Sequence, residues 1–196
     1  MFDLDFFEKN GFVAIDAFIQ PADAQRIREH IAVLIDTERM KKAGIGKEGS
    51  FEVDTTKRGD FIHWIEPQDV FEGTSVFLEK LNDLIQELNR NFYLGLRDFE
   101  SHYTQYPEGT RYMKHSDKHK AGSSRVISFV LYLNEDWKES DGGHLRIYQE
   151  DETYIDILPE NGKLAIFLSD KLHEVLETKR VRNSITGWIL NEKKWI

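Results

Sequence analysis

Three side chains in the C-terminal half of the chain have the types and order of a metal-binding set. His115 and Asp117 lie two residues apart, a spacing that directs both side chains to the same face when the segment is a β-strand. His173 follows the apolar run LAIFLSD further along the chain. Two imidazoles and one carboxylate on one face of an octahedral Fe(II) leave three adjacent positions for a chelating cosubstrate and dioxygen. The set therefore makes a non-haem iron site the first hypothesis.

A cation follows the second histidine. Arg182 lies nine residues after His173 and begins the alternating segment RNSITGW, in which Arg182, Ser184, Thr186 and Trp188 share one face. Arginine can bind a carboxylate through two parallel charge-assisted hydrogen bonds, which lysine cannot reproduce. We expect Arg182 to lie inside a β-barrel and to bind an anionic cosubstrate there.

The other histidines are excluded from the predicted metal set. His119 has a zinc-like spacing from His115 on a helix, but the segment before it is typical of a strand and the segment after it of a polar loop. His63 and His144 have no comparable neighbours. Two rival classes stay open at this point: a cupin-type metal isomerase or hydrolase with the same ligands, and a non-catalytic jelly-roll binding domain.

The elements that must position these residues differ between the two halves of the chain. The first half is predicted to be mostly helical after a short strand in GFVAID, with one helix beginning near Pro21 and carrying Ile27, Ile31 and Leu34 on one face. A second helix is predicted from a continuous apolar stripe, namely Leu78, Leu81, Leu84, Ile85, Leu88 and Phe92. The segment from Met40 to Ser50 is predicted to be a loop.

From Arg97 onward, short runs rich in β-branched and aromatic residues alternate with turn signals such as Asp141-Gly142-Gly143. This pattern favours a mainly β, α+β architecture, a double-stranded β-helix or jelly roll with the helices on one outer face. We predict a single domain over residues 1–196, with helical support and substrate loops in 1–96 and the barrel in 97–196.

Composition excludes several classes of function. The 196 residues include 35 acidic and 26 basic side chains, a net charge of −9 that disfavours nucleic acid and anionic membranes as partners. The absence of cysteine rules out disulfides, thiolate metal sites and cysteine nucleophiles. The apolar runs are short for a membrane span, and the acidic N-terminus does not look like a secretory signal. A cytoplasmic location is therefore expected.

A family resemblance covers most of the chain and is strongest between Tyr106 and Trp188. The sequence resembles the Fe(II)- and 2-oxoglutarate-dependent prolyl hydroxylases, specifically the hypoxia-sensing enzymes and their bacterial relatives. The strings that carry it are YPEGTRYMKHSD, RVISFVLYLNEDW, GGHLRIY, HEV and ITGW, and the earlier RGDFIHWI resembles a substrate-side segment of the same branch. Several motifs in the right order are more specific than any one of them.

The resemblance implies a role for each matching residue. His115, Asp117 and His173 become the iron ligands, and Arg182 becomes the partner of the distal carboxylate of 2-oxoglutarate. The cosubstrate pocket is completed by two tyrosines, a threonine that assists the arginine and an apolar wall: Tyr132, Tyr106, Thr186 and Leu145. On the substrate side, the resemblance implies roles for Arg125, Trp188, Arg58 and Asp60. Asp60 and Arg125 are expected to pair across the substrate entrance.

The implied activity is hydroxylation of a prolyl residue in a protein or peptide, with 2-oxoglutarate and O2 converted to succinate and CO2. A translation elongation factor is a candidate target, and ascorbate is a further expected cofactor. The RGD-containing segment and the loop from Met40 to Ser50 are expected to close over the peptide.

Overall fold

The computed structural model describes residues 2–44, 54, 56–118 and 123–193. Within these ranges the chain forms three α-helices, Leu4–Asn10 (α1), Pro21–Asp36 (α2) and Glu72–Phe92 (α3), and short 3-10 turns at Pro67–Asp69 and Glu139–Asp141. The strands are Phe12–Ile15 (β1), Lys41–Lys42 (β2), Phe61–Trp64 (β3), Asp98–Tyr106 (β4), Tyr112–His115 (β5), Arg125–Tyr132 (β6), Leu145–Tyr148 (β7), Tyr154–Ile157 (β8), Leu164–Leu168 (β9), His173–Val175 (β10) and Arg182–Leu190 (β11).

The strands form two antiparallel sheets. The large sheet has the order β1-β9-β6-β11-β4-β3-β2, and the small sheet has the order β5-β10-β7-β8. Their inner faces pack together through a buried cluster that joins Val130, Tyr132 and Phe167 of the large sheet to Leu145 and Ile147 of the small one. This arrangement confirms the predicted jelly roll.

The helices pack on the outer face of the large sheet. Helix α2 begins at Pro21, where the missing N–H costs no helical hydrogen bond, and buries Ile27, Ile31 and Leu34 as predicted. Helix α3 buries an apolar stripe that includes Leu81 and Leu88. These stripes share one core with the outward-facing side chains of the sheet, among them Tyr103, Ile127, Phe129, Ile185 and Ile189. The helices therefore support the central strands that carry the site.

The prediction of a loop from Met40 to Ser50 was wrong at its N-terminal end. Lys41 and Lys42 form strand β2, which pairs with Ile62 and Phe61 of β3, because the outer edge of β3 offers unpaired backbone groups. Residues 1–96 thus also contribute three strands to the large sheet. Residues 45–50 of the predicted loop lie outside the described residues.

In the described part of the chain, none of the helices combines the length and the apolar character that crossing a membrane would require.

Candidate active site

Three ligand-bearing side chains meet where β5 ends and β10 begins. His115 and His173 are register partners across these strands. Asp117 lies beyond the end of β5, and its backbone N–H donates to the carbonyl of Ser169 (3.0 Å). The sequence predicted that strand alternation would align Asp117 with His115. Asp117 instead lies in a turn, and the hydrogen bond of its backbone to Ser169 holds it beside His115. One ligand atom from each of the three residues lies within 4.8 Å of the other two.

Both imidazoles are oriented for a metal by their backbone contacts. Nδ1 of His115 is 2.7 Å from the carbonyl of Met113, and Nδ1 of His173 is 3.0 Å from the carbonyl of Lys171. A carbonyl can only accept, so each Nδ1 carries the proton and each Nε2 keeps a free lone pair. These Nε2 atoms lie 3.6 Å from Oδ1 and 3.6 Å from Oδ2 of Asp117, respectively. Such a donor set fits a divalent metal.

The carboxylate is held in its charged form. Burial would raise the pKa of Asp117, but the adjacent imidazoles of His115 and His173 and the hydrogen bond from the Ser128 hydroxyl together hold that pKa well below its ordinary value. Ser128 Oγ donates to Asp117 Oδ2 at 2.6 Å. Burial lowers the pKa of His173 to about 4 against the opposing charge of Asp117. Near neutral pH the site therefore presents an anionic carboxylate at Asp117 and a neutral imidazole at His173.

Arg182 lies deep in the barrel, as predicted. Its side chain is 1% exposed, and its Nε donates to the carbonyl of Gly143 at 2.9 Å. Gly143 adopts a φ of +67°, and a Cβ at this position would lie 3.0 Å from Arg182 Cδ, so glycine both makes this turn and leaves room for the arginine. The GGH string thus positions the guanidinium.

Two tyrosines flank this guanidinium. Its Cζ lies 5.2 Å from the centroid of the Tyr106 ring and 5.1 Å from that of Tyr132. Burial raises the pKa of Tyr132 to about 12 despite the nearby Arg182, and burial raises the pKa of Tyr106 well above its ordinary value. Both phenols are therefore neutral donors. Leu145 packs with Tyr132 in the inner cluster, as expected for an apolar wall.

Three buried polar atoms of this pocket have no partner among the residues that the structure describes: Arg182 Nη2, Tyr132 Oη and Ser184 Oγ. Buried polar groups are nearly always hydrogen-bonded, so unpaired donors around a permanent cation indicate an anionic ligand. A carboxylate fits this pocket, because it can accept from the guanidinium and a phenol together. Thr186 lies on the same face of β11 as Arg182, and its Oγ1 accepts from Thr104 Oγ1 at 3.3 Å. Its assistance to Arg182 stays a prediction.

The expected pairing of Asp60 with Arg125 was wrong. Asp60 accepts two hydrogen bonds from Arg58, at 2.7 and 2.9 Å, because the two residues lie on the same side of an extended segment. Arg125 donates to Glu100 Oε1, at 2.7 Å from Nη2, and its guanidinium carbon lies 3.6 Å from the centroid of the Trp188 ring. The predicted substrate residues therefore form two separate clusters.

The remaining histidines are not part of the metal set. His144 Nε2 lies 2.8 Å from Glu139, and His63 Nε2 lies 3.4 Å from Asp69. His119 lies outside the described residues. The one group of metal-ligating side chains found in the described ranges is His115, Asp117 and His173.

Sequence reasoning missed several side chains around the site. The Tyr112 ring stacks on His115 at 3.7 Å, and Phe167 lies edge-on to His173 at 4.6 Å. His102 was also missed, although it alternates with Tyr106 along β4 and so shares its face. Strand alternation places Ser128 toward the pocket, but its bond to Asp117 depends on a contact distant in the sequence.

The fold and site together define a class: a jelly-roll protein with two histidines and one carboxylate at a metal position and a buried arginine behind it. A family model described as the 2OG-Fe(II) oxygenase superfamily matches residues 101–190. The crystal structure of a Pseudomonas putida prolyl-4-hydroxylase superposes with a TM-score of 0.85 and 33% identity, covering 96% of this chain and 97% of that one.

Three further proteins are similar to this chain. A Trichoplax adhaerens prolyl hydroxylase, in complex with a hypoxia inducible factor peptide fragment, shares the fold at a TM-score of 0.83, with 24% identity over 95% of this chain and 86% of that one. The hypoxia-inducible factor prolyl hydroxylase of Caenorhabditis elegans is 32% identical over 148 residues, which are 70% of this chain and 20% of that protein. A PKHD-type hydroxylase of Synechocystis is 29% identical over 57% of this chain and 42% of its own length. The chain thus spans a fifth to two fifths of these curated relatives.

The chain belongs to the 2OG-Fe(II) oxygenase superfamily and, within it, to the prolyl hydroxylases. The expected cofactors Fe(II) and 2-oxoglutarate are those that the superfamily's description names.

Proposed function

We propose that this chain is a dioxygenase that uses Fe(II), 2-oxoglutarate and O2 to hydroxylate a prolyl residue in a protein or peptide. The observation that carries the proposal is the triad His115, Asp117 and His173, whose ligand atoms lie within 4.8 Å of one another, in the same barrel as the buried Arg182. Membership of the prolyl hydroxylases supports the reaction type. The peptide complex of the Trichoplax adhaerens relative supports the substrate class.

His115, Asp117 and His173 would hold the iron. When bound, it would supply the oxidising chemistry, in which O2 and 2-oxoglutarate give succinate, CO2 and one oxygen atom inserted into a substrate C–H bond. The protein's own contribution is binding and orientation. His115 and His173 offer Nε2 lone pairs because backbone carbonyls hold their Nδ1 protons. Ser128 fixes the Asp117 carboxylate through its 2.6 Å hydrogen bond.

We assign the cosubstrate's distal carboxylate to the pocket around Arg182. The guanidinium Nη2 and the Tyr132 hydroxyl are buried donors without partners in the described structure, and a carboxylate would satisfy both. The buried Tyr106 ring also lies next to the guanidinium, with its centroid 5.2 Å from Cζ, and helps to bury it. Leu145 and Val130 give the pocket an apolar wall, which suits the methylene carbons of a keto-diacid.

The substrate side is proposed to involve Arg125, Trp188, Arg58 and Asp60. Arg125 and Trp188 form one cluster, in which the cation lies over the indole. Arg58 and Asp60 form the other, and the Arg58 guanidinium carbon lies 4.7 Å from the centroid of the Tyr112 ring, which stacks on His115. Closure of the RGD-containing segment over the peptide stays a prediction.

The test begins without oxygen. Fe(II) followed by 2-oxoglutarate should produce the visible charge-transfer band of the chelate. Air and a library of proline-containing peptides should then give succinate and peptides with one added oxygen, detected by mass spectrometry. Absence of the band would contradict the proposal, and oxidation of free amino acids alone would contradict its peptide substrate.

The same experiment separates the rival classes. A cupin-type isomerase or hydrolase would bind the metal but form no chelate band. A non-catalytic binding domain would form the band and release no succinate. A translation elongation factor as the target, ascorbate as a cofactor and a cytoplasmic location rest on the family resemblance and on composition, and they stay proposals.

A further inference from the structure

Four buried polar atoms outside the carboxylate pocket also lack hydrogen-bond partners in the described part of the chain, and two of them belong to side chains that contact each other. These two are Nε2 of His102 and Nε1 of Trp188. The two side chains are 1% and 7% exposed, respectively. An unpaired buried polar group costs about 1–3 kcal/mol, so two of them side by side require an explanation.

Both side chains lie on the inner face of the large sheet, next to the metal ligands. Trp188 is the register partner of Ser128, whose hydroxyl donates to Asp117. His102 is the register partner of Thr186, two residues before Trp188 on β11. The rings of His102 and Trp188 are 5.6 Å apart and meet edge to face. A molecule that reaches both atoms therefore lies close to the proposed iron position.

The hydrogen bonds around His102 indicate whether its unpaired Nε2 donates or accepts. We assign His102 the tautomer in which Nδ1 donates to Thr104 Oγ1 at 2.8 Å, with Thr104 Oγ1 donating in turn to Thr186 Oγ1 at 3.3 Å. Nε2 is then a bare acceptor. Burial, with the charge of Arg58, lowers the pKa of His102 to about 4, and the ring is neutral near pH 7. Trp188 Nε1 can only donate.

The charged neighbours do not satisfy these two atoms. Arg58 and Arg125, which both lower the pKa of His102, have Asp60 and Glu100 as carboxylate partners. The Arg125 guanidinium lies over the face of the Trp188 ring, whereas Nε1 is at the ring's edge. Trp64 contacts both rings, at 5.1 and 6.2 Å between centroids, and is 39% exposed. The pair thus contacts a solvent-exposed aromatic side chain, and Trp188 lies opposite Ser128, the hydrogen-bond donor to Asp117.

One acceptor beside one donor matches a polypeptide backbone. A residue in extended conformation presents its own N–H and C=O on the same side, as in the hydrogen-bonded pairs of antiparallel sheets. Proline has no N–H, so the matching residue is a neighbour of the target proline rather than the proline itself.

We propose that His102 Nε2 and Trp188 Nε1–H bind the backbone N–H and C=O of a residue next to the target proline, and so select peptides over free amino acids. This inference rests on the proposed function, and it assigns to both residues a binding role in substrate selection.

A matched pair of variants tests the role of His102. In His102→Asn, the amide nitrogen can replace Nδ1 and keep the contact with Thr104, while the Nε2 acceptor is lost. In His102→Gln, the longer side chain places an amide oxygen near the Nε2 position. The probe is the peptide that gains oxygen most readily in the library, titrated calorimetrically into protein loaded with Mn(II) and 2-oxoglutarate.

We expect His102→Asn and Trp188→Phe to weaken peptide binding about tenfold, and His102→Gln to weaken it by less than about threefold. A peptide with an ester in place of the matching amide should bind wild type about tenfold more weakly, but should bind His102→Asn as well as the amide peptide does. The affinity for 2-oxoglutarate, measured in the same samples, should stay within twofold of wild type.

Three results would overturn the inference. The first is equal peptide binding by the Asn and Gln variants, and the second is equal binding of the ester and amide peptides by wild type. Either result would show that the peptide backbone does not hydrogen-bond to His102 Nε2 and Trp188 Nε1. Neither result would contradict the dioxygenase proposal. The third is the absence of any oxidised peptide in the library, which would contradict both the peptide substrate and the binding role of His102 and Trp188. Failure of wild type to bind 2-oxoglutarate would instead contradict the proposed function itself.

Discussion

Replacing Arg182 with alanine should separate cosubstrate binding from metal binding. Arg182 has one hydrogen bond to Gly143 and a second, unpaired nitrogen in a pocket lined by Tyr132 and Tyr106. A bidentate contact with a carboxylate would comprise two charge-assisted hydrogen bonds, each contributing about 1.5–3 kcal/mol. Their loss amounts to about 3–6 kcal/mol, or about 10²- to 10⁴-fold in the dissociation constant of 2-oxoglutarate.

Metal affinity should change little in Arg182→Ala, since the three ligand atoms belong to His115, Asp117 and His173. The assay is an anaerobic titration of Fe(II), followed by 2-oxoglutarate, with the chelate band as the signal. Arg182→Lys keeps the charge but not the two-pronged geometry, and we expect it to fall between alanine and wild type. Equal losses of metal and cosubstrate affinity would refute the assigned role.

Arg180→Ala is the matched control. Arg180 lies two residues away, its side chain is 47% exposed, and it pairs with Asp141 at 2.8 Å on the surface. An exposed pair of this kind contributes about 0–1 kcal/mol, so both affinities should remain at wild-type values. Thermal unfolding of all three variants distinguishes lost binding from lost folding, because a variant that melts near the wild-type temperature and still fails to bind 2-oxoglutarate has lost only the contact.

Three further outcomes are expected. Ser128→Ala removes the hydrogen bond to Asp117, and metal affinity, measured by competition with a chelator, should fall about 10- to 100-fold. Gly187→Ala places a Cβ against the Glu100 carbonyl and the Phe129 ring in the central strand, and urea unfolding should show a loss of about 2 kcal/mol or more. The folded-state pKa of His102 is about 4 against an ordinary 6.5, so its contribution to stability is complete above pH 6.5 and is lost as the pH falls toward 4. When the pH is lowered from 7.5 to 5, wild type should therefore lose about 2 kcal/mol more unfolding free energy than His102→Gln, both measured as metal-free protein.

Each of these outcomes has a control. Ser75→Ala, at a partly exposed site on α3, should leave metal affinity unchanged, and equal affinities of the Ser75 and Ser128 variants would contradict the role of Ser128. Gly95→Ala meets open space but has a φ of +65°, so it should cost only about 1 kcal/mol, less than Gly187→Ala. A pH dependence that is identical in wild type and His102→Gln would show that His102 does not account for the acid sensitivity.

The predictable parts of the fold are those specified by local periodicity. Ile27, Ile31 and Leu34 recur at helical spacing, and the structure buries all three on one face of α2. Strand β2 has only two residues, too few for a period, and it exists because the edge of β3 is available. Such pairing is decided by what lies beside a segment in space, which its own sequence does not contain.

The same distinction applies to the candidate site. The spacing of His115 and Asp117 is a local pattern, and the later histidine and arginine follow the order of a known family. The partner of Asp60 was mispredicted because the resemblance favoured the distant Arg125, whereas the contact formed is with Arg58, two residues away. Local spacing was the better guide there, since two residues on one side of an extended segment meet without any help from the fold.

The unpaired atoms of His102 and Trp188 show what only the folded chain can add. Alternation along β4 and β11 puts each residue on the inner face, but their proximity depends on the register that pairs His102 with Thr186. A one-residue shift of either strand would turn its own side chain, His102 on β4 or Trp188 on β11, toward the helices. The free nitrogen of that side chain would then face an apolar core that offers no partner, so the register that builds the barrel also decides whether this pair can bind a substrate.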